Sequence, residues 1–456
     1  AEVTHDIFLR LLDRGYVYRD SMQSMFCPKD QRFLPDRYIQ GTCPNCGYDK
    51  ARGDQCDNCG RPWNPTDLID PRCQLCGTTP ELRETEHYFL KLSALNQQLL
   101  DWVGRQSHWR PSVLNFTRNF LQEGLRDRAI TRDIEWGVSV PVEGFEDKRI
   151  YVWFEAVIGY LSATKEWAQR QGDPERWRDF WERPCKSYYF IGKDNIPFHT
   201  IIWPAMLMGY GDLNVPYDVP ANEFLTIEGR KLSTSQNWAV WLPDYAERYD
   251  PDPLRYVLSI NMPETSDADF SWHQLVQRNN DELVAAYGNL VHRVLTLTHR
   301  NFAGRVPAPG ALDDLDRELL ARLDATFEEV DAAIGACRFK EAIRLNMELA
   351  RATNRYLEER SPWKTIREDR ERTGTTLFVA LAVIAGLRTL LYPFLPFSSE
   401  KLHRLLGFSG TIEADGWRPR RPEAGQALPV PEALFTKLDE SVIERETARL
   451  GRPAGE

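Results

Sequence analysis

The sequence predicts an α/β fold with a partial parallel sheet, interrupted by a metal-bound insert and followed by an all-α bundle. Three observations predict this. Seven of the nine cysteines lie between residues 27 and 76, apolar strand-like runs precede helical patterns in the middle of the chain, and long helical patterns fill it after about residue 275. A chain of 456 residues, 42% of them hydrophobic, is long enough for about three domains and too apolar for disorder. Its net charge of −10 argues against a wholly basic nucleic-acid coat protein, although it leaves room for a local basic face.

The chain begins with an amphipathic pattern over residues 4–18, where Ile7, Phe8, Leu11 and Leu12 recur near the helical period. Residues 19–80 are rich in turn formers and cysteine, which predicts a metal-bound insert.

Within this insert, Cys43, Cys46, Cys56 and Cys59 form two Cys-x2-Cys pairs with nine residues between them. Two tight turns of this kind can point four thiolates at one tetrahedral zinc ion. The alternative is a disulfide cluster in a secreted domain, but no signal peptide is visible and the number of cysteines is odd.

A second group consists of Cys27, Cys73 and Cys76, with Asp30 at knuckle spacing from Cys27. Because a carboxylate can ligate zinc, these four residues could form a Cys3Asp site. A vacant or degraded site is the alternative.

The middle of the chain predicts helices over residues 86–130 and strands over residues 136–142, 150–154 and 188–191, with a helix over residues 196–208. Beyond residue 275, helices are predicted over residues 281–300, 312–334, 339–359 and 375–391. The apolar run at residues 377–387 is too short for a membrane span, which needs about 20 residues, so we expect a buried core helix. Residues 409–456 are rich in proline, glycine and charge, which favours a loosely packed tail.

Several groups of residues suggest ligand chemistry, although each also has a plain structural interpretation. Gly192 and Asp194 follow a strand where a doubly wound sheet binds nucleotides, or they form an ordinary strand–helix turn. The loop at Lys231 offers cations and hydroxyls for phosphate, or is a solvated turn. The aromatic residues near Trp153, with His199, suit a small polarisable ligand or an ordinary core.

In the predicted bundle, Asn289 and Arg293 lie four residues apart on one helix face, and Trp363 follows the third bundle helix. Amide, guanidinium and indole groups are those that hydrogen-bond to and stack on unpaired bases. A buried tryptophan and a solvated arginine are the alternative.

The order of these motifs resembles the methionyl-tRNA synthetase family of class I aminoacyl-tRNA synthetases. The similarity covers nearly all of residues 1–410 and rests on several specific stretches, which are Phe33-Leu34-Pro35-Asp36-Arg37-Tyr38, Thr131-Arg132-Asp133, Tyr151-Val152-Trp153-Phe154, Ile158-Gly159-Tyr160, Phe198-His199, Trp203-Pro204-Ala205 and Ser361-Pro362-Trp363.

The resemblance implies a Rossmann-like catalytic domain split by a connective insert with zinc knuckles, followed by a helical anticodon-binding domain. The expected segments are a remnant helix (1–18), the insert (19–115), the second half of the catalytic domain (116–235), a stem-contact linker (236–275), the anticodon-binding domain (276–408) and a tail (409–456).

The resemblance also implies ligands for individual residues. Methionine would contact Trp153, Ala156, Tyr160, Asn195 and His199. ATP, with Mg²⁺, would contact Gly192, Asp194, Lys231 and Thr234, and the catalytic loop would comprise Lys231, Ser233, Thr234 and Ser235. Asn289, Arg293 and Trp363 would read the anticodon of tRNA(Met). One or two structural zinc ions would be held by the inner quartet and by Cys27, Asp30, Cys73 and Cys76.

Two residues and one missing motif depart from the family pattern. The signature loop has Thr234 where the family has a second lysine, and Glu155 stands where aspartate is usual. The His-x-Gly-His signature is absent from these 456 residues, so we expect it to precede Ala1 and expect the fragment alone not to be a competent enzyme.

The expected activity is therefore that of a cytoplasmic methionine–tRNA ligase that joins L-methionine to tRNA(Met) at the expense of ATP. Two alternatives remain at this point. One is a related class I synthetase for isoleucine, leucine or valine, and the other is a non-catalytic, zinc-stabilised tRNA-binding protein.

Overall fold

The protein is described by a computed structural model over residues 1–53, 56, 65–234 and 236–452. The chain divides into two compact units, residues 1–221 and residues 222–456.

The first unit combines helices with short sheets. Its α-helices are α1 (Glu2–Asp13), α2 (Asn96–Gly104), α3 (Pro111–Gln122), α4 (Val152–Arg170), α5 (Arg178–Trp181) and α6 (Trp203–Tyr210). Its strands are β1 (Val17–Cys27), β2 (Arg32–Phe33), β3 (Ile39–Thr42), β4 (Ala51–Arg52), β5 (Ile69–Cys73), β6 (Glu81–Leu90), β7 (Arg128–Ala129), β8 (Thr131–Arg132), β9 (Arg149–Ile150) and β10 (Ile191–Gly192), with β11 (Ala221–Asn222) at the boundary. Short 3₁₀ segments lie at Asp36–Tyr38, Pro65–Asp67, Leu92–Leu95 and Lys193–Asn195, and a π-helical segment at Phe198–Ile202.

The longest strand pair of this unit is the antiparallel ladder of β1 and β6. It runs from Val17 opposite Leu90 to Phe26 opposite Glu81, within a four-stranded sheet of order β2-β1-β6-β7. The prediction of helices over residues 86–130 is therefore wrong at both ends, where residues 86–90 belong to β6 and residues 128–129 to β7, and strand pairing satisfies the backbone of these segments. The predicted helix at residues 4–18 is present but ends at Asp13, and Gly15 (φ +75°) leads into β1.

Helix α4 begins earlier than the sequence predicted. Ile150 ends β9, Tyr151 is the N-cap residue, and the helix starts at Val152, so the predicted strand over residues 150–154 is mostly wrong. The β-branched and aromatic residues favoured a strand, but helical spacing buries Phe154, Val157, Ile158 and Leu161 together. Residues 136–142 form turns and a single bridge at Ser139 instead of the predicted strand.

Parallel pairing occurs where residues 188–191 were predicted to form a strand. Tyr188 and Asp218 form a parallel bridge, and Ile191 donates its backbone N–H to Pro220. The helical segment between them, which ends with α6, makes this a strand–helix–strand crossover of the predicted type. The core beneath it includes Ile196, Trp203 and Val219.

The second unit is mainly helical. Its helices are α7 (Leu242–Arg248), α8 (Pro251–Ile260), α9 (Trp272–Arg278), α10 (Asn289–Asn301), α11 (Asp314–Gly335), α12 (Phe339–Arg360), α13 (Pro362–Thr365), α14 (Arg370–Leu391), α15 (Pro396–Leu405), α16 (Ile412–Asp415) and α17 (Ser441–Thr447). A π-helical segment, Asn279–Gly288, leads into α10, and a small sheet contains β12 (Leu225–Ile227), β13 (Arg230–Lys231) and β14 (Ala268–Phe270).

The four helices predicted for the bundle are confirmed, with ends shifted by a few residues. Helix α14 is long and apolar enough to span a membrane, but 94% of its most apolar stretch is buried within the structure. The interpretation of this run as a core helix is therefore confirmed. Gly386 allows a close approach at its centre, because a Cβ atom there would lie 2.4 Å from Cδ1 of Leu323 on α11.

The predicted loose tail is wrong for the residues that the structure describes. Leu428, Leu434, Phe435 and Val442 are buried in the core of the second unit. Glu446 is 1% exposed and accepts hydrogen bonds from Arg248 and Tyr249. Proline, glycine and charge disfavour long helices, but they did not prevent these scattered apolar residues from packing on the bundle.

Candidate functional site

A small aromatic cavity lies between α4 and the segment that follows β10. Its volume is about 290 Å³. All five residues that the resemblance assigned to methionine line it, namely Trp153, Ala156, Tyr160, Asn195 and His199. Four further lining residues were not predicted, namely Val157, Phe190, Ile191 and Phe198. Helical spacing on α4 would have identified Val157, and Phe198 adjoins His199 in a motif already noted.

One hydrogen-bonded chain crosses this cavity. The hydroxyl of Tyr160 lies 2.8 Å from Nε2 of His199, and Nδ1 of His199 lies 2.9 Å from the backbone oxygen of Asn195. Because a carbonyl oxygen only accepts, Nδ1 carries the proton in the neutral ring. Nε2 therefore accepts from the Tyr160 hydroxyl, whose oxygen keeps its lone pairs for another partner.

Burial keeps both members of this pair uncharged. The pKa of His199 is lowered mainly by desolvation, and burial raises the pKa of Tyr160. His199 is 6% exposed. The cavity therefore presents aromatic surface and one oriented hydroxyl, without a formal charge on this pair near neutral pH.

The walls of the cavity are fixed by further aromatic contacts. Trp153 stacks on Phe198 with ring centroids 4.5 Å apart and planes inclined by 19°. Tyr189 packs edge-on against Tyr160 at 4.9 Å, and its hydroxyl accepts from the indole N–H of Trp203. Such contacts restrict the rotamers of the lining residues.

A larger cleft of about 1500 Å³ adjoins the aromatic cavity, since Trp153, Asn195 and Phe198 line both. Asp194 also lines the cleft and is exposed. Gly192 precedes it at a position where a Cβ atom would lie 2.9 Å from Oδ1 of Asp194. This turn brings Lys193, Asp194 and Asn195 to the cleft, while Gly192 does not line it.

A buried charge cluster, which sequence analysis did not predict, lies on the wall of the cleft. Asp133 contacts Nε2 of His87 at 3.2 Å and Nζ of Lys148 at 2.5 Å. Although burial opposes ionisation, the hydrogen bonds from His87 and Lys148 lower the pKa of Asp133 to about 2. The three residues are far apart in sequence, so no local pattern could have brought them together.

The loop at Lys231 belongs to the second unit. Lys231 ends β13 and pairs with Thr226, and Ser233 and Trp238 exchange backbone hydrogen bonds that close the loop. Lys231 and Thr234 are exposed, and the guanidinium of Arg230 lies 3.8 Å from the centre of the Trp238 ring. Ser235, also predicted here, lies outside the described residues.

The outer cysteine group is assembled as predicted. The ligand atoms of Cys27, Asp30, Cys73 and Cys76 all lie within 4.8 Å of one another. Sγ of Cys27 is 3.4 Å from that of Cys76, and Oδ2 of Asp30 is 3.1 Å from Sγ of Cys73. These separations approach the edges of about 3.6–3.8 Å that a tetrahedral zinc site requires.

The inner group is described for three of its four cysteines. Cys43, Cys46 and Cys56 also lie within 4.8 Å of one another, and the sulfurs of Cys46 and Cys56 are 3.7 Å apart. Cys59 lies outside the described residues. Gly47 (φ +73°) follows Cys46, and Gly77 (φ +73°) follows Cys76, and both have the positive φ that suits a knuckle turn.

On the bundle, the three predicted base-reading residues share one region. The guanidinium of Arg293 lies 5.4 Å from the centre of the Trp363 ring. Asn354 and Glu358 on α12 accept hydrogen bonds from Arg293 at 2.8 Å each, which restricts its side chain. Asn289 is exposed one turn earlier on α10. This surface offers an amide, a held guanidinium and a partly exposed indole.

Comparison with known families agrees with both halves of this description. Residues 1–295 match the family described as tRNA synthetases class I (M), and residues 306–453 match the anticodon binding domain of methionyl tRNA ligase. Together the two matches define a class I synthetase with a helical anticodon-binding domain, and they confirm the predicted fold class.

Curated relatives identify the family more closely. A methionine–tRNA ligase of Dehalococcoides mccartyi is 56% identical over 451 residues, which cover 99% of this chain and 82% of that protein. One from Thermomicrobium roseum is 52% identical over 476 residues, covering 98% of this chain and 82% of that protein. The chain belongs to the methionine–tRNA ligase family.

A solved structure supports the same assignment. The methionyl-tRNA synthetase of Mycobacterium tuberculosis bound by methionyl-adenylate has a TM-score of 0.76 and 27% identity, covering 95% of this chain and 80% of that one. These comparisons favour neither a synthetase for isoleucine, leucine or valine nor a non-catalytic binding protein.

Proposed function

We propose that the chain carries the methionine pocket, part of the ATP site and the anticodon reader of a methionine–tRNA ligase. The oxygen of the methionine carboxylate attacks the α-phosphorus of ATP, and the bond to the β-phosphate breaks, releasing pyrophosphate. A ribose hydroxyl of the terminal adenosine of tRNA then attacks the activated carbonyl, loses its proton, and displaces AMP. Neither step needs a nucleophilic side chain, so the protein acts by positioning and by stabilising charge.

The observation that carries this proposal is the aromatic cavity with its neutral Tyr160–His199 pair. A thioether is polarisable and gains about 0.3–1.5 kcal/mol from each good contact with an aromatic ring. Trp153 and Phe198 provide such rings, and the Tyr160 oxygen is a polar group beside them. The volume of about 290 Å³ suits a single amino-acid side chain.

We assign ATP to the adjoining cleft. Asp194 would accept a hydrogen bond from a ribose hydroxyl, and Gly192 permits close approach to the backbone. Lys231, Ser233, Thr234 and Ser235 are assigned to the phosphates, with Lys231 supplying positive charge. Mg²⁺ bound with ATP would neutralise part of the phosphate charge.

We assign structural zinc to both cysteine groups. Thiolate-rich donor sets with tetrahedral spacing favour zinc, and four protein ligands leave no open position for catalysis. Zinc-bound thiolates persist in reducing compartments, which supports a cytoplasmic location for the protein.

We assign the CAU anticodon of tRNA(Met) to Asn289, Arg293 and Trp363. The indole would stack on one unpaired base, and the amide and guanidinium would bond to base edges.

Exchange of labelled pyrophosphate into ATP, run on the full-length protein with one amino acid at a time, tests the proposal. Methionine should drive exchange at least about ten times better than leucine, isoleucine or valine, the discrimination expected of about 1.4 kcal/mol or more. Better exchange with leucine or isoleucine would overturn the assignment of the cavity.

A further inference from the structure

Trp363 lies in a short connection between two long helices. Helix α12 ends at Arg360 and α14 begins at Arg370, with Trp363 on the single turn of α13 between them. Ser361 adopts φ 44° and ψ 55°, a left-handed conformation that serine rarely adopts. Neither long helix continues through this connection, so contacts at its two ends help to fix its position, together with the packing of Trp363 on the core and a hydrogen bond between the hydroxyls of Thr365 and Thr373.

Both ends of this connection lead to the same carboxylate. Asp316, on the first turn of α11, is fully buried. Arg372 donates through Nη2 to both of its oxygens, at 2.7 and 2.6 Å. Arg360 donates through Nη2 to Oδ1 at 3.4 Å. The residue just before the connection and a residue just after it therefore share one anion.

Further groups hold Asp316 itself in place. The hydroxyl of Tyr356 donates to Oδ1 at 2.6 Å, and the backbone N–H of Asp313 donates to Oδ2 at 3.1 Å. Asp313 and Asp316 form a reciprocal capping box at the start of α11. The carboxylate is thus fixed to one helix while two arginines from other helices converge on it.

The two arginines depend on this carboxylate. Nε of Arg360 and Nε of Arg372 are buried and have no hydrogen-bond partner within the described structure. Asp313 contributes a second anion, since it contacts both guanidinium groups. These guanidinium groups are only partly buried, with side chains 16% and 23% exposed, so they would move toward water if the central charge were removed.

We infer that Asp316 is a positioning residue for Trp363, because it clamps Arg360 and Arg372 and so fixes both ends of the connection that carries the base-reading indole. The inference rests on the proposed anticodon role of Trp363. Arg293 depends on the same geometry, since its partners Asn354 and Glu358 precede Arg360 on α12. Loss of the clamp would therefore weaken recognition of tRNA without touching the methionine pocket.

Asp316→Asn tests this inference, because it removes the charge with little change in size. We expect KM for tRNA to rise about ten-fold or more, equivalent to about 1.4 kcal/mol of binding, and the preference for CAU over an altered anticodon to shrink. Methionine-dependent pyrophosphate exchange, which needs no tRNA, should stay within about two-fold of wild type.

Asp415→Asn is the matched control. Asp415 also lies between two arginines of the second unit, pairing with the buried Arg388 at 2.8 Å and with Arg420 at 2.7 Å, and none of the three belongs to the connection between α12 and α14. We expect Asp415→Asn to lower the melting temperature while KM for tRNA stays unchanged. An equal rise in KM for tRNA with both variants, or no rise with Asp316→Asn, would overturn the inference that Asp316 positions Trp363.

Tyr356→Phe keeps the test decisive if Asp316→Asn fails to fold. It removes one hydrogen bond to the same carboxylate and keeps every charge, so a smaller rise in KM for tRNA, of about two- to five-fold, is expected. An unchanged KM for tRNA in folded Tyr356→Phe would then contradict the inference. If Trp363→Ala itself leaves tRNA binding intact, the proposed anticodon role fails instead.

Discussion

The hydroxyl of Tyr160 donates to Nε2 of His199, because the other ring nitrogen of His199 is committed to the backbone oxygen of Asn195. The direction of this hydrogen bond leaves the tyrosine oxygen as the free acceptor in the aromatic cavity. It also makes the pair sensitive to a single proton on the imidazole.

Tyr160→Phe should raise KM for methionine about ten-fold, near the upper range for loss of one hydrogen-bonding group, and should leave KM for ATP unchanged. Pyrophosphate exchange measures both constants. Tyr210→Phe is the control, since Tyr210 donates to Asp6 elsewhere in the same unit and lines neither cavity. Similar effects of the two changes would argue against a methionine role for Tyr160.

The affinity for methionine should fall in acid. Burial lowers the pKa of His199 from its ordinary value of 6.5, so the favourable neutral form is fully present above 6.5 and is lost as pH falls through the lowered pKa. Protonation places a proton on Nε2, which can then no longer accept from Tyr160. KM for methionine, measured from about pH 5 to pH 8, should rise as the pH falls through this lowered pKa, on the acid side of the ordinary value.

His199→Gln is the control for this titration, because glutamine keeps a polar amide and has no proton to gain in this range. Its KM for methionine should be higher than wild type and independent of pH. If KM for methionine depends on pH in His199→Gln as it does in the wild type, the titrating group is not His199.

Cys43→Ser should remove one zinc ion per chain, and Asp30→Ala should remove a different one. Each change deletes one of four ligands, and structural zinc sites lose both metal and local fold when a ligand is lost. Metal content measured by mass spectrometry on the purified protein checks this. Cys185→Ser, at an exposed and isolated cysteine, should change nothing. If the wild-type protein holds one zinc ion and the Asp30→Ala variant still holds it, the outer site is vacant.

Trp363→Ala should weaken tRNA binding about ten-fold or more, since stacking on one base contributes about 1–3 kcal/mol. Adenylate formation should not change. Trp417→Ala is the matched control, because Trp417 is also partly exposed on the second unit but packs on Phe327. Equal losses of tRNA binding and pyrophosphate exchange would contradict an anticodon role for Trp363.

Gly386→Ala should destabilise the second unit by about 1–3 kcal/mol, because the new methyl group would overlap Leu323 in a closely packed core. Gly335→Ala should instead stabilise it slightly, by up to about 1 kcal/mol, since Gly335 is helical and has open space around it. Urea denaturation followed by circular dichroism measures both changes. The packing argument fails if the two substitutions have the same sign.

Long periodic segments were predictable from sequence, and segments shaped by distant partners were not. Helices α11 and α12 show an apolar repeat over many residues and α14 contains a continuous apolar run, so their existence follows from local pattern. Strand β6 is polar along its outer half and gains its structure from β1, some sixty residues earlier. Pairing over that distance leaves no local signature.

In the candidate site, too, local patterns were predictable from sequence and contacts between distant residues were not. Cys-x2-Cys spacing is a local property, so the knuckles could be predicted without a structure. The pairing of Asp133 with His87 and Lys148 depends on three separate strands or loops, and the convergence of Arg360 and Arg372 on Asp316 depends on three helices. Only the folded chain brings such groups together.

The π-helical segments have a consequence for how the chain can vary in length. One of them, Phe198–Ile202, carries His199, and the other, Asn279–Gly288, ends immediately before Asn289. A π-turn accommodates a surplus residue within a helix, and such turns are frequent at functional sites. Because a π-turn holds a surplus residue, deleting one residue from either segment would let the regular α-helical repeat resume and would leave the downstream side chains near their present angular positions. The same deletion from a regular α-helical turn would rotate the downstream side chains by about 100°, so these two segments are where a change of one residue in length disturbs the helices least.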